Sequence, residues 1–167
     1  MKLLSPIKPI NKIIQAGTIF LLVCFGLNLA HSEEPIAKRG LSGVVIGGHD
    51  SVAYHLPENI ESHSAKKGEK SFTVKYKGGN WRFISEEHAR LFEANPEKYA
   101  PAYNGHCANA LSLGEGLIRT NGSHWEIFED QLYVFFAARG RDRWTDGNFK
   151  QYKKEADQAW QEILANQ

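Results

Sequence analysis

Two cysteines and seven histidines carry most of the chemistry this chain could do. Cys24 belongs to an apolar run near the N-terminus. Cys107 is different: it follows His106 and precedes the small residues Ala108 and Ala110 in the stretch Gly105 to Leu111. Small residues there predict a short, closely packed helix. A thiol at such a helix start feels the positive end of the helix dipole, which favours thiolate, and a neighbouring imidazolium would add to this. The competing use of a free cysteine is as a small buried hydrophobe. His49 and His55 flank a turn that begins at Asp50. One thiolate with two or three imidazoles is a mixed donor set suited to copper or zinc. The candidate metal ligands are therefore Cys107, His106, His49 and His55, with His63 and His88 behind them. No Cys-x-x-Cys or His-x-x-x-His pair occurs, so these donors would have to converge through the fold. If the chemistry is redox instead, Cys107 is the candidate catalytic residue, cycling through a sulfenate or mixed disulfide.

Other chemistries lack their residues. There is no phosphate loop, dinucleotide fingerprint or nucleophile-elbow serine, and no organic cofactor is indicated. A net charge of +1 gives no electrostatic case for nucleic acid. Glu86-Glu87 reads as favourable charge in a first helical turn. The basic cluster Arg139-Gly140-Arg141-Asp142-Arg143 reads as a solvated helix face.

The N-terminus has the plan of an export signal. Lys2, Lys8 and Lys12 precede an uncharged run from Ile13 to Ala30, and Ala30-His31-Ser32 offers small residues around a cut. Cleavage after Ser32 is the expectation. An uncleaved anchor is the rival, and would be the chain's one membrane contact. Cleavage removes three lysines, which turns +1 into −2, and leaves Cys107 as the single thiol. An exported domain with one thiol cannot close an internal disulfide. Its sulfur is buried, paired with another molecule, metal-bound or reactive. The expected location is periplasmic or extracellular.

The elements that must position these residues follow from periodicity. Val44-Val45-Ile46 before Gly47-Gly48 predicts a short strand. Asp50 caps a helical turn that Pro57 is expected to stop, and 59–70 reads as a polar surface loop. Residues 71–76 alternate with period two, and Trp81 to Ile84 resume the pattern after a turn at 77–80, which predicts a hairpin. Ser85 caps a helix that ends at Asn95-Pro96, where another turn of helix starts. Residues 125–128 and 131–135 predict a second hairpin across Glu129-Asp130. From Asn148, Phe149, Tyr152, Ala156, Trp160 and Ile163 recur at steps of three and four, an amphipathic helix with Trp160 inward. The expected fold is α+β: a small single domain with two antiparallel hairpins, short packing helices and a C-terminal amphipathic helix.

The stretch Tyr76-Lys77-Gly78-Gly79-Asn80-Trp81-Arg82-Phe83-Ile84-Ser85, followed by Leu91 to Pro101, is similar to the core of the YHS domain family. Gly48-His49-Asp50-Ser51-Val52-Ala53-Tyr54 resembles the family's opening segment, and Gly105-His106-Cys107-Ala108 its exported single-cysteine branch. Some relatives in that branch carry selenocysteine at the cysteine position. The resemblance spans about 44–144. Together with the N-terminal pattern and the tail periodicity, it gives the expected organisation: a signal or anchor over 1–32, a linker over 33–42, the domain over 43–146 and a packed helix over 147–167. The resemblance also implies heavy-metal handling. The metal-associated members' other cysteines are missing, however: Val52-Ala53-Tyr54 stands at one place, and Ile84 and His88 at the other. The leading expectation is extracytoplasmic binding of a copper or zinc ion through Cys107 and histidines, without catalysis. A thiol- or selenol-type redox protein using Cys107 is the second. A non-catalytic interaction module with a structural cysteine is the third.

Overall fold

In the computed structural model, residues 34–167 are described. The expected signal segment, its cleavage site and Cys24 lie outside them. Among the described residues no helix is long and apolar enough to cross a membrane.

Two small sheets form the frame. Strands β1 (Lys38–Arg39), β2 (Val44–Val45), β3 (Glu69–Tyr76) and β4 (Gly79–Phe83) make a four-stranded sheet in the order β1-β2-β4-β3. The β3–β4 pair is the first expected hairpin, with a shorter turn than 77–80. Lys77 and Gly78 both take positive φ (47° and 72°), the two-residue geometry that matches the strands' own twist. Strands β5 (His124–Phe128) and β6 (Gln131–Phe135) form the second hairpin across Glu129 and Asp130.

Within 33–42, read as a linker, the chain forms β1, pairs it with β2 and buries Ala37 completely. The turn that Asp50 opens is the 3₁₀ turn Ala53–His55, which ends at Leu56 before Pro57 as expected, but Pro57 also starts a helix. It occupies the first turn of α1 (Pro57–Ser62), where its missing N–H costs nothing. That helix replaces the first part of the expected loop, and β3 already begins at Glu69.

The remaining helices are α2 (Glu86–Ala94), capped by Ser85; α3 (Pro96–Tyr99), capped by Asn95; α4 (Ala108–Ser112); α5 (Ala138–Asp146); and α6 (Phe149–Ala165), capped by Asn148. Their order and the two hairpins make the molecule the α+β single domain expected from its sequence.

Strand β6 explains how the core is divided. Leu132 and Val134 join one apolar cluster with Val45, Tyr54, Trp81, Phe83, Phe92 and Trp125. Tyr133 and Phe135 join a second with Cys107, Leu111, Trp144, Ala156 and Trp160. Alternate side chains of a strand leave on opposite faces, so one strand serves as a common wall for both clusters. Four consecutive buried residues, Leu132 to Phe135, are the result. Helix α6 closes the second cluster through Ala156 and Trp160, and Tyr103 Oη donates to Asp157 Oδ1 at 2.8 Å.

Candidate functional site around Cys107

The opening segment is pinned by one carboxylate. Asp50 is fully buried, and its Oδ1 accepts from the N–H groups of Val52 (2.9 Å) and Ala53 (3.0 Å). Its Oδ2 accepts from the N–H of Ile84 (2.8 Å) and from His88 Nδ1 (2.7 Å). The expected cap is present, and it also ties the opening turn to the hairpin-to-helix junction. His88 is thereby occupied in structure.

His49 is buried, and its Nδ1–H donates to Asn121 O (2.8 Å) and Ile46 O (3.0 Å). Burial first, and then the nearby Lys67 ammonium, pull its pKa below the usual histidine value. Tyr54 Oη donates to Gly122 O at 2.6 Å beside it. Gly122 takes φ +80°, and a Cβ there would lie 2.5 Å from Ile46 O and 2.7 Å from the tyrosine oxygen. His49 and Tyr54 thus hold the opening segment against the Asn121-Gly122 turn.

His55 stands apart. Its ring meets Tyr99 edge-on at 5.4 Å, and its buried Nε2 has no hydrogen-bond partner among the described residues. Burial lowers its pKa, helped by the charge of Lys98 and opposed by Asp130. His63 Nε2 pairs with Glu126 at 2.9 Å, and its ring stacks on Trp125.

Cys107 occupies the residue before α4, with extended backbone, and its N–H donates to Ile118 O at 2.8 Å. The side chain is 3% exposed. Its Sγ accepts a hydrogen bond from the Phe136 N–H at 3.2 Å. The sulfur borders a cavity of about 90 Å³, whose wall includes Glu115, Ile118, Phe136 and Arg139. Gly140 brings α5 against α4 there: a Cβ on it would sit 3.0 Å from Asn109 Cβ.

His106 is 4% exposed, and its Nδ1–H donates to Tyr103 O at 2.9 Å. Burial, seconded by the Arg119 charge, holds its pKa below the usual value. The neutral ring therefore keeps its proton on Nδ1 and its lone pair on Nε2. His106 lines a second, larger cavity that shares Ile118 and Phe136 with the one at Cys107.

The structure keeps the four candidate ligands apart in their bonding. His49 is engaged at the Asn121 turn, His55 at Tyr99, and His106 and Cys107 each face a cavity on either side of Ile118 and Phe136. Among the described residues, no three histidine, cysteine or acidic side chains are grouped so as to hold one metal ion. No family model, curated protein or solved structure matches the chain.

Several residues of this region escaped the sequence reading. Arg119 reaches His106 through an antiparallel bridge between the two residues, a pairing with no local signal. Arg143 is not part of a solvated face. It donates to Asn109 Oδ1 (2.9 Å) and Ser112 Oγ (3.0 Å) and lies 3.6 Å over the Tyr152 ring, fastening α5 to α4 and α6.

Proposed function

We propose that this protein acts in an extracytoplasmic compartment through the sulfur of Cys107, by thiol exchange with a disulfide of a partner. One observation carries the reading: the Phe136 N–H aims at Sγ from the wall of a cavity. A main-chain N–H donor is placed to meet negative charge where a nucleophilic sulfur carries it. The resemblance to the exported single-cysteine YHS branch supports the same residue, as does the expected signal segment. In the exchange, the Cys107 thiolate attacks one sulfur of the partner disulfide. That S–S bond breaks, the second sulfur leaves as thiolate, and a mixed disulfide remains. Cys107 is the only cysteine among the described residues, so a partner's thiol resolves it.

A second reading is binding of a copper or zinc ion by Cys107 with His106. It is favoured by the hydrogen bonds of the candidate histidines. His106 and His49 each donate Nδ1–H to a backbone carbonyl, the support that metal-binding imidazoles commonly have, and each keeps Nε2 as the donor atom.

The test is reaction of the native protein with an aromatic disulfide reagent, with and without prior addition of Cu(I). Thiol exchange predicts release of one reagent thiolate per chain, abolished in Cys107→Ser and indifferent to copper. Protection by one equivalent of Cu(I) would transfer the reading to metal binding. No release before unfolding would reject both, and would leave Cys107 as packing in an interaction module.

A further inference from the structure

The larger cavity beside His106 has a volume of about 800 Å³, within the range of small-ligand sites. Its rim is cationic. Lys38, Arg39 and Arg119 all line it, and among the described residues none of the three is ion-paired with a carboxylate. Its lining carboxylate, Glu34, is already engaged by Lys77 Nζ (2.6 Å) and Asn104 Nδ2 (3.0 Å). The floor is apolar: Ile36, Leu117, Ile118 and Phe136. Leu117 and Phe136 are 41% and 59% exposed, large apolar surface left to water beside unpaired cations. A neighbouring hollow of about 660 Å³ shares Pro35 and Leu117 with the cavity, and continues along Ala159 and Ile163 of α6, with Glu162, Asn166 and Gln167 on its polar side.

Unpaired positive charge beside exposed apolar surface is complementary to one kind of molecule. We propose that this groove binds a free aliphatic carboxylate, its headgroup among Lys38, Arg39 and Arg119 and its chain over Leu117 toward α6. His106 forms the buried polar side of the headgroup pocket. The site does not depend on the chemistry of Cys107, although Ile118 and Phe136 line both cavities.

Calorimetric titration of the purified protein with decanoate tests this directly. The expected result is saturable binding of one decanoate per chain. Decyltrimethylammonium and decanol should bind at least about tenfold more weakly, since each lost charge contact at such a site is worth a factor of that order. Arg39→Gln with Arg119→Gln, both on exposed positions, should weaken decanoate at least about tenfold, and so should Leu117→Asp. Cys107→Ser should leave it unchanged, which separates failure here from failure of the thiol reading. Equal binding of the cationic detergent, undiminished binding in the double variant, or binding only to vesicles of anionic phospholipid would each overturn the proposal.

Discussion

The two halves of the core treat polar groups in opposite ways. Around Asp50 every charge is answered: one buried carboxylate accepts four hydrogen bonds, three from backbone and one from His88. Around Cys107 and His106 the polar groups border cavities, and the cations on the rim have no carboxylate partners among the described residues. A buried charge that is fully paired is structure, and its removal leaves donors stranded. Unpaired charge beside exposed apolar surface does nothing for the fold and is available to a ligand. The same strand, β6, supports both halves, so the contrast is one of chemistry and not of packing quality.

The sharpest way to break this comparison is to delete the carboxylate. Asp50→Ala should cost about 3–5 kcal/mol in denaturant unfolding, because three N–H groups and His88 lose their acceptor together. A loss below about 1 kcal/mol would show that the opening segment is held by something else.

Acid should act next. His49, His55 and His106 are all held below the usual histidine pKa by burial. Below pH about 6.5 the unfolded chain therefore binds more protons at these sites than the fold does. Stability must then fall as pH drops through that value, with a slope of at most about 1.4 kcal/mol per pH unit for each histidine. Urea midpoints between pH 7.5 and 5 check the sign. A midpoint that rises on acidification would contradict the burial of neutral imidazoles.

Smaller effects sharpen the contrast. Tyr54→Phe removes the bond to Gly122 O from the buried side of the opening segment, and should cost about 1–2 kcal/mol. Arg119→Gln and Lys38→Gln, on the cavity rim, should change stability by no more than about 0.5 kcal/mol. If the rim variants prove as costly as Tyr54→Phe, those cations serve the fold and the distinction between the halves is lost.

What the sequence discloses divides along the same line. The hairpins were legible because alternation and two-residue turns are local: Lys77-Gly78 and Glu129-Asp130 sit where period-two runs break. The caps at Asp50 and Ser85 were legible for the same reason. Pro57 was half legible, because proline can end one turn and open the next, and only the residues after it show the second role. Strand β2 was legible as the β-branched run Val44-Val45 before Gly47-Gly48, whereas β1, two residues long, carries no period. At the site, Cys107 and the start of α4 could be read from small residues. The separate engagements of His49 and His55 could not, since Asn121 and Tyr99 are distant in sequence. Arg119, Lys38 and Arg39 were passed over because a lone cation has no pattern until tertiary pairing sets it beside a cavity.

The central claim is that the Cys107 sulfur is reached from its cavity without unfolding the protein. Pulsed labelling with a small alkylating reagent, across a series of denaturant concentrations well below the unfolding midpoint, measures this. The account predicts a Cys107 labelling rate that is finite in buffer and nearly independent of denaturant, as for access through a local opening. A rate that extrapolates to the global unfolding equilibrium, rising with the full denaturant slope from the lowest concentration, would contradict it.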